Sequence, residues 1–254
     1  MVRRTYSEIA QEYDEIAHEY RDSKLLPFRD FVESFSLFRL IGNLKGRTVL
    51  DLACGEGHYT RRLKQAGAAH VHGVDISPEM IKLAEESEKT DPLGCQYSVG
   101  NAANLSLGER FDVVVGVYLL NYASSKAMLL DLCRTIHDHL KLGGVFVGIN
   151  ASMTLDPAKY ANYQKYGLML LTPENRVEGD PITFVITNPD GTRFQIDNFF
   201  LRPETYAAAF ADTGFCAFAW EDLWVSDAGR QRFPDGYWNA MLTDPPIVGM
   251  HAER

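Results

Sequence analysis

The sequence predicts an α/β fold built on a doubly wound, mostly parallel sheet, and three observations predict it. Short Val- and Ile-rich runs alternate with amphipathic stretches from residue 47 to residue 149. Each apolar run is too short for a core helix and each intervening stretch has helical spacing with a charged outer face. Alternation at this pitch means βαβ units, hence parallel strands joined by right-handed crossovers.

Two helical stretches come first, residues 5–21 and 27–42. The runs "RTVLDLA", "HVHGVDI", "CQYSVG", "FDVVVGV" and "GGVFVGI" read as strands, and "YTRRLKQAG", "PEMIKLAEESEK" and "KAMLLDLCRTIHDHL" as the helices between them. Ser77 before Pro78 fits an N-cap followed by proline at the first helical position, while Gly67 and the Gly143-Gly144 pair fit helix stops. After Asn150 the rhythm breaks: "ITFVITNPDGTRFQIDNFFL" reads as an antiparallel hairpin around an Asn-Pro-Asp-Gly turn. A helix over 202–213, stopped by Gly214, and strands in "FCAFAWEDLWV" and "PIVGMHA" complete the chain.

With 254 residues, 46% of them hydrophobic, and no Ser/Gly-rich linker, repeat or charge block, the economical reading is one domain spanning 1–254. It carries a helical cap over 1–42 and an insertion over 151–200. A net charge of −9 argues against nucleic acid and anionic membrane as partners, since phosphate binding needs clustered Lys and Arg. No run reaches the roughly 20 apolar residues of a membrane helix, and the first 20 residues lack the apolar core of a secretory signal. Cys54, Cys95, Cys133 and Cys216 lie far apart without C-x-x-C spacing, as in reduced thiols of a cytoplasmic protein, and no metal is expected. The expected partner is a small molecule. Oligomeric state stays open, a homodimer through the insertion or the final helix and strand included.

In an open parallel sheet, ligands sit beyond the carboxyl ends of the strands. There falls "VLDLACGEG", whose Gly55 and Gly57 let the backbone approach a ligand. A dinucleotide fingerprint would need glycine where Thr60 stands, and Asp51 would set a carboxylate against a pyrophosphate.

In its ordered motifs the chain resembles class I S-adenosylmethionine-dependent methyltransferases, over about residues 13–150 with "FADTGF" continuing the match. The resemblance implies a seven-stranded, Rossmann-like sheet with S-adenosyl-L-methionine as cofactor. It places Asp51 near the methionine ammonium, with Ala53, Gly55 and Gly57 as the floor. In "GVDIS", Asp75 would accept both ribose hydroxyls, and Ile76 and Met80 would flank the adenine. "VGNAANL" has Asn101, beside Ala102, where the family carries an aspartate for the adenine amino group, so that hydrogen bond loses its charge assistance. "FDVVVGVYLLNYA" would bring Tyr118 and Tyr122 to the methionine moiety, and "YDEIAHEY" resembles a cap helix closing Tyr13 and Tyr20 over the cofactor. Each residue also has a plain structural reading, a helix-capping acid for Asp75 or packed aromatics for the tyrosines.

The function implied is methyl transfer to a small aromatic or heterocyclic metabolite by direct in-line displacement. A non-catalytic S-adenosylmethionine-binding partner or sensor, and a protein methyltransferase, are the alternatives. The aromatic insertion suggests a lid over an apolar pocket, and with "NFFL" and "GYWNAM" it resembles bacterial small-molecule methyltransferases of secondary metabolism, such as those of the toxoflavin pathway. No catalytic residue stands out. His18, Tyr118, Asn121, Tyr160, Tyr163 and Tyr166 are pocket candidates. "DPPI" at 244–247 reads as a rigid turn, the pairs His70/His72 and His137/His139 as surface residues, and Cys54 as merely small.

Overall fold

The structure, a computed structural model, describes residues 5–254; the first four residues of the expected cap lie outside it. Five strands, β1 (Thr48–Leu52), β2 (His70–Asp75), β3 (Gln96–Val99), β4 (Phe111–Val117) and β5 (Leu140–Ala151), run parallel. After the insertion come β9 (Ala217–Glu221) and β10 (Ile247–Glu253), giving a seven-stranded sheet in the order β3-β2-β1-β4-β5-β10-β9. β10 lies antiparallel to both β5 and β9. The central strands β1 and β4 are buried along nearly their whole length, because helices cover both faces; that is why they read as unbroken apolar runs.

Helices α4 (His58–Gln65), α5 (Pro78–Thr90) and α6 (Lys126–His139) connect these strands, and α7 (Pro203–Asp212) precedes β9. Ser77 caps α5, its Oγ accepting the Met80 N–H at 3.0 Å, as its place before Pro78 predicts. Gly67, at φ +102°, follows the end of α4. The Gly143-Gly144 pair is not a helix stop. α6 ends at His139 and the chain runs directly into β5, where the two glycines exchange backbone hydrogen bonds with Arg254 beside a register shift against β4.

The N-terminal helices are more broken than their periodicity suggests. α1 (Tyr6–Glu15) and α2 (Ala17–Asp22) kink at Ile16, a 3-10 turn spans Ser23–Leu25, and a π-helical turn over Arg29–Ser34 leads into α3 (Phe35–Ile41). Wide turns of this kind often mark functional sites. α1 is pinned across the sheet edge: Asp14 accepts from the Ser77 hydroxyl at 2.5 Å and the Glu79 N–H at 3.2 Å, a carboxylate at the start of α5.

In the insertion, the expected hairpin is β7 (Pro181–Thr187) and β8 (Arg193–Phe199) around Gly191 at φ +91°. A further strand, β6 (Leu168–Leu171), pairs with β7 and makes a separate three-stranded sheet. It was hidden because "LMLL" shows no alternation. The Asn188 side chain at the hairpin turn donates to the Glu19 carbonyl at 3.0 Å, tying this sheet to the cap. Short helices α8 (Asp227–Arg232) and α9 (Asn239–Thr243) precede β10.

Candidate active site

β1 and β4 end in left-handed residues that carry side chains, Ala53 at φ +58° and Tyr118 at φ +61°. Outside glycine such backbone costs about 1–3 kcal/mol and clusters where function requires it. Both residues line a cleft at the carboxyl ends of the strands, open at its mouth.

The cleft brings together Tyr13, Tyr20, Ala53, Gly55, Asp75, Ile76, Asn101, Ala102, Tyr118 and Tyr122. Asp75 is fixed from behind: Oδ2 accepts the Gly55 N–H at 2.8 Å and Oδ1 the Ser77 N–H at 2.9 Å, leaving further lone pairs on both oxygens. Burial pushes this carboxyl up to about 6 against those hydrogen bonds. Asn101 accepts the Ala103 N–H at 2.9 Å through its own amide oxygen. The hydroxyls of Tyr13 and Tyr122 are hydrogen-bonded to each other, and Tyr13 packs edge-on against Tyr20 with centroids 5.4 Å apart.

Three expected residues do not line the cleft. Asp51 lies beneath it, 1% exposed, its Oδ2 accepting from the Thr60 hydroxyl at 2.7 Å; burial pushes it up to about 7 despite that bond. Thr60 thus stands in place of a fingerprint glycine and holds the buried acid. Gly57, at φ +83°, is the N-cap of α4, and a Cβ there would lie 2.6 Å from the Tyr97 hydroxyl. Met80 is fully buried and supports Gly55 from below. Sequence reasoning overlooked Tyr6, Met128 and Leu132, which also line the cleft; their helices give no sign of which loop they will face.

A second, narrower cavity adjoins the first and shares Tyr13, Tyr20, Tyr118 and Tyr122 with it. Its other walls are apolar, Phe28, Leu168, Phe184, Ile186, Ile196 and Ile247, apart from Arg29 and Asn198. The Arg29 guanidinium donates to Glu33 at 2.6 Å and lies over the Tyr118 ring, 5.2 Å from its centroid. Glu33 also accepts from the Tyr59 and Tyr118 hydroxyls. Burial works against its charge, yet Arg29, Lys24 and the two hydroxyls outweigh burial and hold it below the usual carboxylate range. Arg29, Glu33 and Asn198 carried no sequence signal; an Arg and a Glu four apart on a helix ordinarily make a solvated pair.

The other candidates fall elsewhere. His18 is exposed and lines neither cavity, and Asn121 is buried behind Asn198, to whose Oδ1 it donates at 3.1 Å. The Tyr163 and Tyr166 hydroxyls donate to the carbonyls of Asp244 and Tyr237, and Arg176 donates to Tyr160 at 3.0 Å, so these rings anchor the insertion. Asp244 pairs with Lys159 and its turn delivers Ile247 to the second cavity. Burial drives the Cys54 thiol well above its usual value, unlike an activated nucleophile. His70, His72 and Glu109 gather at the opposite end of the sheet, their ligand atoms within 4.8 Å of one another, and His137 stacks edge-on against Phe215.

Residues 49–144 match the methyltransferase domain family. The chain has the class I methyltransferase fold. A solved S-adenosylmethionine-dependent methyltransferase from Mesorhizobium loti superposes on this domain and its surroundings with a TM-score of 0.63 at 20% identity, covering 91% of this chain and all (100%) of that one. Among curated proteins, an uncharacterized protein of Haemophilus influenzae is 30% identical over 127 residues, 48% of this chain and 49% of that protein. The match thus spans about half the length of that relative. A ubiquinone biosynthesis O-methyltransferase of Xylella fastidiosa strain 9a5c is 28% identical over 254 aligned residues, 91% of this chain and 90% of that protein. Among the described residues, no helix is long and apolar enough to cross a membrane.

Proposed function

We propose that this chain binds S-adenosyl-L-methionine in the cleft and transfers its methyl group to a small apolar acceptor held in the second cavity, under the three-stranded sheet as a lid. One observation carries this reading: the two cavities meet at the same four tyrosines, so a ligand in each would abut the other there. The O-methyltransferase among its relatives supports an enzyme over a mere binding protein.

The residues present suit the cofactor. Asp75 offers spare lone pairs to ribose hydroxyls, and Ile76, Ala102, Met128 and Leu132 form an apolar slot for a planar base. The buried Tyr6 hydroxyl, also in the cleft, has no hydrogen-bond partner among the described residues. Bound there, S-adenosylmethionine supplies an activated methyl group on a sulfonium. The chain's part is alignment and dryness: the tyrosines of the shared wall shape the passage, and the cap and lid keep water from it. Tyr13, Tyr118 and Tyr122 stay protonated, because burial first of all lifts all three well above the usual phenol range.

Titration calorimetry with S-adenosylhomocysteine, alongside NAD, tests the reading. Micromolar binding of the first ligand alone, lost in Asp75→Ala, is the expected outcome. Preference for NAD, or no binding of either, refutes it.

A further inference from the structure

The second cavity contains donors that the protein leaves unpaired. Arg29, 3% exposed, spends one Nη on Glu33, while its buried Nε–H has no partner. Asn198, 4% exposed, must turn its oxygen toward the Asn121 amide, which donates to it at 3.1 Å. Its Nδ2 is therefore fixed facing the other way, toward the Tyr122 hydroxyl, but among the described residues it makes no hydrogen bond of normal geometry. A buried donor without an acceptor loses its hydration with nothing in return, so two on one small cavity call for an acceptor from outside.

The same cavity has no base. Among the described residues, its lining holds no His, Asp or Glu. Of its four tyrosines, Tyr13 and Tyr122 share one hydrogen bond, Tyr118 donates to Glu33, and Tyr20 faces Lys24 Nζ at 3.4 Å. Glu33 lies behind Arg29 with both oxygens taken by Arg29, Tyr59 and Tyr118, and is held ionised. Among the described residues, nothing lining the cavity is placed to remove a proton from an acceptor.

We infer that the acceptor is an apolar ring bearing an oxygen that enters already deprotonated, of the phenolate class, with Arg29 Nε–H and Asn198 Nδ2–H holding that oxyanion. The inference rests on the methyl-transfer reading above and deepens it. In the transfer step an oxygen lone pair forms the O–CH₃ bond and the C–S bond breaks, its electron pair going to sulfur. The oxyanion's negative charge and the sulfonium's positive charge disappear together, and no proton is left to remove. Arg29 and Asn198 are positioning and binding groups in this scheme.

The test uses the whole chain saturated with S-adenosylhomocysteine, with 4-nitrophenol as probe and its neutral methyl ether, 4-nitroanisole, as the shape match. The absorbance of the bound phenol is followed against pH. The bound phenol is expected to titrate about one unit below its free value, which means the phenolate binds about ten-fold tighter than the phenol. It should also bind about ten-fold tighter than 4-nitroanisole. Asn198→Asp keeps the oxygen that Asn121 needs and replaces the free donor with a negative charge, so the shift should vanish or reverse. Arg29→Lys keeps a cation for Glu33 but removes the Nε–H, and should shrink the shift. S-adenosylhomocysteine binding, whose cleft neither residue lines, serves as the check that both variants fold.

An unshifted or upward titration, equal binding of the ether, an Asn198→Asp variant that keeps the shift, or no binding of either probe overturns the inference. With S-adenosylhomocysteine still bound, each of these leaves the methyl-transfer reading standing. Failure of the unaltered chain to bind S-adenosylhomocysteine overturns that reading and the inference with it.

Discussion

Asp51 pays for its position in stability, and Asp51→Asn should recover that stability in a pH-dependent way. Its carboxyl rises from an ordinary 3.8 to about 7, chiefly through burial. A folded-state pKa above the unfolded value means that the native chain binds the extra proton, so this group's contribution to stability falls as pH rises from about 4 through 7. The ionised form costs the folded state about 4 kcal/mol relative to the unfolded chain once pH exceeds 7. Asparagine has nearly the same shape and keeps an oxygen for the Thr60 hydroxyl, now donating at 2.7 Å, but carries no charge. Urea denaturation at pH 4.5, 6 and 8 measures the difference between the two chains. Asp51→Asn should gain about 1 kcal/mol at pH 4.5 and on the order of 2–4 kcal/mol at pH 8, and the comparison cancels titrations elsewhere. Equal stabilities across this range, or a variant less stable at pH 8, would refute the claim that Asp51 is a buried, poorly solvated acid.

Three further outcomes follow from the same geometry. Thr60→Val removes the hydroxyl that steadies Asp51 and should cost about 1–3 kcal/mol at pH 8 and distinctly less at pH 5, read by the same denaturation series. Gly148→Ala places a Cβ 2.8 Å from the Gly116 carbonyl oxygen, between β4 and β10 where backbone cannot yield. It should destabilise by about 1–3 kcal/mol, and a loss below about 0.5 kcal/mol would show that the sheet is looser there. Asn101→Asp leaves an acceptor for the Ala103 N–H and adds a charged oxygen for an exocyclic amine. S-adenosylhomocysteine should then bind roughly 3- to 10-fold tighter by calorimetry, and unchanged or weaker binding would place the adenine elsewhere.

What the sequence by itself determined was the αβ alternation and the loop where a ligand belongs. Both are written locally: strands buried on two faces must be apolar throughout, as "VVVGV" in β4 is, and Ser77-Pro78 starts a helix whatever surrounds it. Gly55, Asp75 and Asn101 of the cleft were legible for the same reason, since each sits within a few residues of a strand end and its backbone geometry follows from that place.

Tertiary structure alone decided the rest. Asp51 reads identically whether it faces a ligand or, as here, is sealed beneath the cleft, because only the packing of α4 sets which way Thr60 closes on it. The second cavity is assembled from α1, α2, the π-helical turn, the end of β4, the insertion sheet and the start of β10, whose residues span Tyr13 to Ile247. Arg29 and Asn198 become a pair of unpaired donors only because apolar walls from such distant segments keep water from them. In an isolated segment each would be solvated, and nothing in its neighbours would distinguish it.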